Sequence, residues 1–136
     1  MFNFRAKKIN KMIKQIPSKE IEEYVKKNPK CVLLDVRTEE EWNTDGRPDG
    51  EKLGIKTYFL SIQFIDKTFN QNFEDQFNKL NIEKDHEILT MCMGGVRSQM
   101  AAELVKAKNY NCSNISDGFL GNYENAGWKR NNLPCK

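Results

Sequence analysis

Apolar and polar positions follow two rhythms along the chain. Cys31-Val32-Leu33-Leu34-Asp35-Val36-Arg37 is apolar almost without a break. Such a run predicts a strand over residues 31–37 that is covered on both faces, as in parallel sheets. Residues 55–62 predict a second strand, and Glu87-Ile88-Leu89-Thr90-Met91 a third that runs straight into Cys92. Cys112 to Ser116 reads as a short last strand. Between these runs the apolar positions fall at helical spacing. Ser18 is placed to cap a helix over residues 20–27, closed by Asn28-Pro29. Thr38-Glu39-Glu40-Glu41 has the spacing of a capping box and predicts a short helix containing Trp42. Phe73, Phe77 and Leu80 mark one face of a helix over residues 72–80, and Met100, Ala101, Leu104 and Val105 the stripe of a helix from Val96 to about Lys108. Gly, Asp and Pro from Asp45 to Gly54 make a loop.

Strands alternating with helices predict an α/β fold: a three-layer sandwich with a mainly parallel sheet and helices on both faces. In such folds ligands sit beyond the carboxyl ends of the strands. Cys92 occupies one of those ends.

Composition narrows the picture. The 136 residues are 38% hydrophobic and 30% charged with a formal charge of +3, which fits one globular domain and gives no reason to expect a nucleic-acid partner. Two parts are expected: a basic arm over residues 1–14, with Arg5, Lys7, Lys8, Lys11 and Lys14 and no acid, and a single domain over residues 15–136. The interleaved Phe2, Phe4, Ile9, Met12 and Ile13 would allow the arm to lie on a membrane surface or act as a targeting helix, although a simple trailing or packed arm is the plainer and preferred account. No apolar run approaches the ~20 residues of a membrane span, and the opening residues lack a secretory h-region. The four cysteines, at 31, 92, 112 and 135, form no C-x-x-C pair, and His86 is the only histidine. Neither a metal site nor another cofactor is therefore expected, and a cytoplasmic setting with free thiols is.

The chemistry concentrates in Cys92-Met93-Gly94-Gly95-Val96-Arg97-Ser98. Glycines let successive backbone N–H groups turn inward, the following helix contributes its positive end, and Arg97 adds a planar cation. This arrangement favours a thiolate over a thiol at Cys92. The plain alternative is a buried cysteine at a strand end followed by an ordinary glycine turn.

These residues resemble the active-site loop of the rhodanese family, C-x-x-G-x-R followed by Ser or Thr, with Cys92, Gly95, Arg97 and Ser98 at its positions. Asp35-Val36-Arg37 with Glu41-Trp42 is similar to the family's D-V-R signature and its downstream Glu and aromatic. Gly118-Phe119-Leu120-Gly121, Gly127-Trp128-Lys129 and Leu133-Pro134 are similar to its closing segment, so that the resemblance runs from about Ile16 to the end and is closest to a recurrent bacterial variant. It implies a single-domain sulfurtransferase in which Cys92 attacks the outer sulfur of thiosulfate or another persulfide or polysulfide donor, becomes a persulfide, and passes the sulfur to a thiol or cyanide acceptor. Met93, Gly94, Gly95, Val96, Arg97 and Ser98 would then cradle the substrate. Asp35 and Arg37 would either brace the loop, as the resemblance implies, or form a capping and salt-bridge group with Glu41. Met93 stands where many thiosulfate-using members carry a basic residue, and Gly46-Arg47-Pro48-Asp49 replaces the common G-H-I-P-G-A element. A protein persulfide could therefore replace thiosulfate as donor. A sulfur carrier without turnover, or a regulatory binding module, is the alternative. Phosphatases, which use C-x-x-x-x-x-R, are a distant third, because four residues separate Cys92 from Arg97.

Overall fold

The strand-forming runs assemble into a five-stranded, wholly parallel sheet of order β1-β5-β4-β2-β3 in the computed structural model, which describes residues 13–136. The strands are β1 (Lys14–Ile16), β2 (Cys31–Asp35), β3 (Lys56–Phe59), β4 (Glu87–Met91) and β5 (Asn111–Ile115). The helices are α1 (Ile21–Lys27), α2 (Glu39–Asp45), α3 (Phe73–Lys79) and α4 (Val96–Lys106), with single 3-10 turns at Ser18–Glu20 and Gly50–Leu53. Residues 1–12 of the expected basic arm lie outside the described residues.

The unbroken apolar run of β2 is explained by its place inside the sheet: all five of its residues are buried. Because side chains alternate across a strand, Val32 and Leu34 enter one core with Ile88 and with Phe73, Phe77, Ala101 and Val105 of α3 and α4. Cys31 and Leu33 enter the other, with Leu89, Met91, Ile21, Val25, Phe119 and Trp128. Each large side chain buried this way contributes on the order of 1.5–3 kcal/mol. Two cores, one on each face, give the predicted three layers.

Several details depart from the pattern. β1 was not anticipated: it is a polar edge strand paired with β5 alone, with only Ile16 of its three residues buried. Ser18 does not cap α1 with its side chain; its N–H and Oγ both bond Asp117 Oδ1 (2.8 Å each), which ties the start of the domain to its closing segment. β3 is shorter than the expected run 55–62, although Leu60 N–H and Ile62 N–H still bond the carbonyls of Asp35 and Val36 (3.0 and 3.2 Å). The buried face of α4 consists of Ser98, Ala101, Ala102 and Val105, and Met100 faces solvent. Small residues serve there because α4 packs close to the sheet.

Register places the site. Asp35 pairs with Met91, so the chain leaves β2 and β4 side by side. The loop that follows β2 and opens α2 therefore lies next to the loop that begins at Cys92.

Candidate active site

Cys92 is the first residue past β4, and its loop enters α4 through Gly95, whose φ of +109° lies in the left-handed region. A Cβ at Gly95 would stand 2.2 Å from the Ser116 carbonyl oxygen. Both conformation and space thus demand glycine. Gly94 adopts an ordinary φ, so only one of the two expected glycines supplies special backbone geometry. A second close approach lies beneath: a Cβ on Gly118 would meet the Cys92 carbonyl oxygen at 2.5 Å. The loop rests directly on the segment after β5.

The Cys92 sulfur is held by two donors, the Gly95 N–H at 3.1 Å and the Ser98 hydroxyl at 3.2 Å. Cys92 is 1% exposed and Ser98 is fully buried. The sulfur therefore sits recessed at the start of α4, where the first-turn N–H groups have no acceptor within their own helix and the helix end favours negative charge.

Arg97 does not aim its guanidinium at the sulfur. It forms a forked pair with Glu41, Nη1 to Oε1 at 2.7 Å and Nη2 to Oε2 at 2.9 Å. Glu41 is presented by the capping box read from the sequence: its N–H donates to Thr38 Oγ1 (3.1 Å), and its Oε1 accepts the Thr38 N–H (2.9 Å). Burial disfavours both charges, but their mutual hydrogen bonds outweigh it. The Glu41 carboxyl is held below its usual range, and the Arg97 cation holds its proton more tightly than usual.

Asp35 and Arg37 are both completely buried. Arg37 Nε lies 3.1 and 3.2 Å from the two Asp35 oxygens, and Nη2 lies 2.9 Å from Oδ2 and 2.9 Å from the Gly46 carbonyl. The expected salt bridge of this pair with Glu41 does not form, because Glu41 is taken by Arg97. Asp35 and Arg37 make no hydrogen bond to residues 92–98 among the described residues. They reach the loop through one intermediary: the guanidinium stacks on the Phe119 ring at 4.1 Å, and the Phe119 N–H donates to the Cys92 carbonyl at 2.8 Å. Met93 is half-buried against the core beside Leu120, while Val96 projects into solvent, 83% exposed.

Three loop contacts were not anticipated from sequence. Glu41 on Arg97 is one. The others are Asn114, whose Nδ2 donates to the Gly95 carbonyl (3.0 Å), and Asn122, whose Nδ2 donates to the carbonyls of Gly94 (3.1 Å) and Ser116 (3.0 Å). Asparagine in a polar loop carries no periodic signal, and the one local hint is the Asx turn that Asn122 makes with the N–H groups of Glu124 and Asn125.

Two depressions flank the loop. One, of about 300 Å³, lies between Arg97, Glu41 and the exposed Phe64 and Ile65. The other, of about 430 Å³, is lined by Gln15, Gly95, Gln99, Asn114 and Asn122. A larger hollow of about 520 Å³ near Asn78, Lys84 and Tyr110 lies by the amino ends of β4 and β5, away from the cysteine. His86 is also at that end, paired with Asp85. Burial pushes the thiols of Cys31 and Cys112 up to about 12, so both are unreactive packing groups. Cys135 is exposed in the tail, where Pro48 pairs with it. Among the described residues no cluster could hold a metal ion, and no helix is long and apolar enough to cross a membrane.

Comparison with known proteins gives the family and the fold. A family model described as "Rhodanese-like domain" matches residues 18–124. "Uncharacterized protein RP600" of Rickettsia prowazekii is 46% identical over 109 residues, 79% of this chain and 84% of that one. Among solved structures, Rv0390 of M. tuberculosis superposes with a TM-score of 0.77 at 32% identity, covering 90% of this chain and 96% of that one. The polysulfide-sulfur transferase homodimer of Wolinella succinogenes shares the fold at a TM-score of 0.69 and 18% identity, covering 99% and 86%.

Proposed function

The chain belongs to the rhodanese-like domain family, and from that premise we propose that it is a sulfurtransferase that carries a sulfane sulfur as a persulfide on Cys92. The observation that supports this most is the pair of donors on the Cys92 sulfur, Gly95 N–H and Ser98 Oγ, in a loop whose next helix starts beneath it. Donors fixed in advance around a developing anion stabilise it without reorganisation.

The reaction balances without a cofactor. The Cys92 thiol first releases its proton to solvent. The thiolate then attacks the terminal sulfur of the donor; one S–S bond forms, the donor's own S–S bond breaks, and its electron pair leaves on the shortened donor. An acceptor thiolate or cyanide next attacks the outer sulfur of the persulfide, and the Cys92 thiolate departs. Gly95 and Ser98 supply the donors around the sulfur, and only four residues separate Cys92 from Arg97. That spacing weighs against phosphoryl chemistry.

Charge sets the donor. Arg97 is neutralised by a forked pair with Glu41, and Met93 adds no cation, so within the loop a dianion such as thiosulfate meets little free positive charge. The cation left beside it is Lys67, on the wall of the neighbouring depression. Polysulfide, or a persulfide held on a protein, suits a recessed sulfur with the apolar Val96, Phe64 and Ile65 exposed nearby. The free thiols fit a reducing cytoplasmic setting.

The test is cyanide turnover to thiocyanate. Polysulfide is expected to support a rate about 10–100-fold above that with thiosulfate at equal concentration, the worth of one missing charge-assisted contact, and Cys92→Ser to support none. Persulfide formation without thiocyanate release would identify a carrier instead, and equal rates in Cys92→Ser would end the proposal.

A further inference from the structure

Deepening the sulfur-transfer reading, on which it rests, we propose that Asn122, seconded by Asn114, is a positioning residue that fixes which edge of the Cys92 loop presents N–H groups to the sulfur. In a planar trans peptide the C=O of one residue and the N–H of the next point in opposite directions. Asn122 Nδ2 holds the Gly94 carbonyl from outside at 3.1 Å. The N–H of the same peptide group belongs to Gly95, and it is the one that meets the Cys92 sulfur at 3.1 Å. One contact thus dictates the other. Asn114 does the same one peptide later: its Nδ2 holds the Gly95 carbonyl at 3.0 Å, which turns the Val96 N–H, the first of α4, to the opposite side.

A loop entering its helix through glycine needs such an anchor. Gly95 has no Cβ to bias its backbone, so the peptide before it is free to flip unless something outside holds the Gly94 carbonyl. The Gly95 carbonyl is held both by Asn114 and by the Gln99 N–H of α4 (3.3 Å). The two carboxamides are themselves oriented by partners that admit no swap of oxygen and nitrogen. Asn122 Oδ1 accepts the N–H groups of Glu124 and Asn125 at 2.9 and 3.1 Å, so its amino group must face the carbonyls of Gly94 and Ser116. Asn114, 2% exposed, donates both to Gly95 O and to Gln15 Oε1 (2.9 Å), and Gln15 lies on edge strand β1. Asn122 is exposed, and the loop that carries it contributes nothing else to the sulfur. Its position is explained by orientation of the amides, not by packing.

Asn122→Asp isolates this role. A carboxylate still accepts from Glu124 and Asn125, so the turn survives, but it cannot donate and it opposes the Gly94 carbonyl. The peptide 94–95 is then expected to rotate and withdraw the Gly95 N–H from the sulfur. Two readouts on the full chain follow. In amide NMR, the Gly95 proton should lose its hydrogen-bonded shift and exchange at least about tenfold faster. Sulfur transfer from polysulfide to cyanide should slow about 10–100-fold, somewhat less than outright loss of an oxyanion-type donor. Asn125→Asp places the same charge in the same loop without touching Gly94, and should leave both readouts within about twofold, or about 0.4 kcal/mol. An unmoved Gly95 signal in Asn122→Asp, or equal losses in the two variants, would overturn the positioning role. Sulfur transfer itself fails independently, by absence of turnover in the wild-type chain, and the Gly95 signal still decides the clamp in that event.

Discussion

Gly95→Ala should lose both activity and stability, whereas Gly94→Ala should lose little of either. Alanine at residue 95 would need φ near +109°, which costs a Cβ-bearing residue roughly 1–2 kcal/mol. Its methyl would also overlap the Ser116 carbonyl at 2.2 Å. That carbonyl follows directly on β5 and already accepts from Asn122, so it cannot retreat cheaply. The loop must move instead, and the Gly95 N–H leaves the sulfur. Loss of one such donor lowers a rate by about 10²–10³-fold. Thermal unfolding should fall by several degrees, corresponding to about 2 kcal/mol or more. Gly94 has an ordinary φ, and a Cβ there would find its nearest neighbour, the Gly121 carbonyl, at 3.4 Å, so its alanine variant should stay within about threefold of the wild-type rate. Equal behaviour of the two variants would mean that the loop's geometry is not what the reaction uses.

Arg37→Met is expected to cost more stability than any other single change near the site, about 3–5 kcal/mol in urea unfolding. It leaves the Asp35 carboxylate fully buried without its cation, and breaking one side of a buried pair is far worse than never having it. The double variant Asp35→Leu, Arg37→Met removes both charges and should recover most of the loss, which a double-mutant cycle measures directly. One Arg37 nitrogen, Nη1, has no hydrogen-bond partner, so the wild-type arrangement is not optimised for stability alone. The stack of the guanidinium on Phe119 transmits the pair to the loop, because Phe119 N–H supports the Cys92 carbonyl. Turnover in Arg37→Met should accordingly fall along with stability. Failure of the double variant to recover would show that Arg37 matters through Phe119 rather than through Asp35.

An element of this fold is legible in the sequence when the interactions that form it are local. β2, β4 and the turn after Cys92 were legible because they are encoded within a few consecutive residues: an unbroken apolar run, then cysteine, glycine and a helix start. The capping box at Thr38 was legible for the same reason. What the box accomplishes was not, since the partner of Glu41 is Arg97, brought there by the register of β2 on β4. β1 went unseen because an edge strand of Lys14, Gln15 and Ile16 buries one residue and needs no apolar pattern. Met100 departs from its expected place because helical periodicity marks a face without saying how close the sheet approaches, and here Ser98, Ala101, Ala102 and Val105 are the residues that fit beneath the helix. Asn114 and Asn122 are remote in sequence from the carbonyls they hold, so no local pattern announces them.

Peptide mass mapping of the full chain after brief incubation with polysulfide, without reductant, tests the central claim most directly. The peptide containing Cys92 is predicted to gain the mass of a single sulfur atom, a gain reversed by cyanide, while Cys31 and Cys112, whose thiols burial pushes up to about 12, stay unmodified. Sulfur found on Cys135 or spread over all four thiols, with none held preferentially at Cys92, would contradict the account.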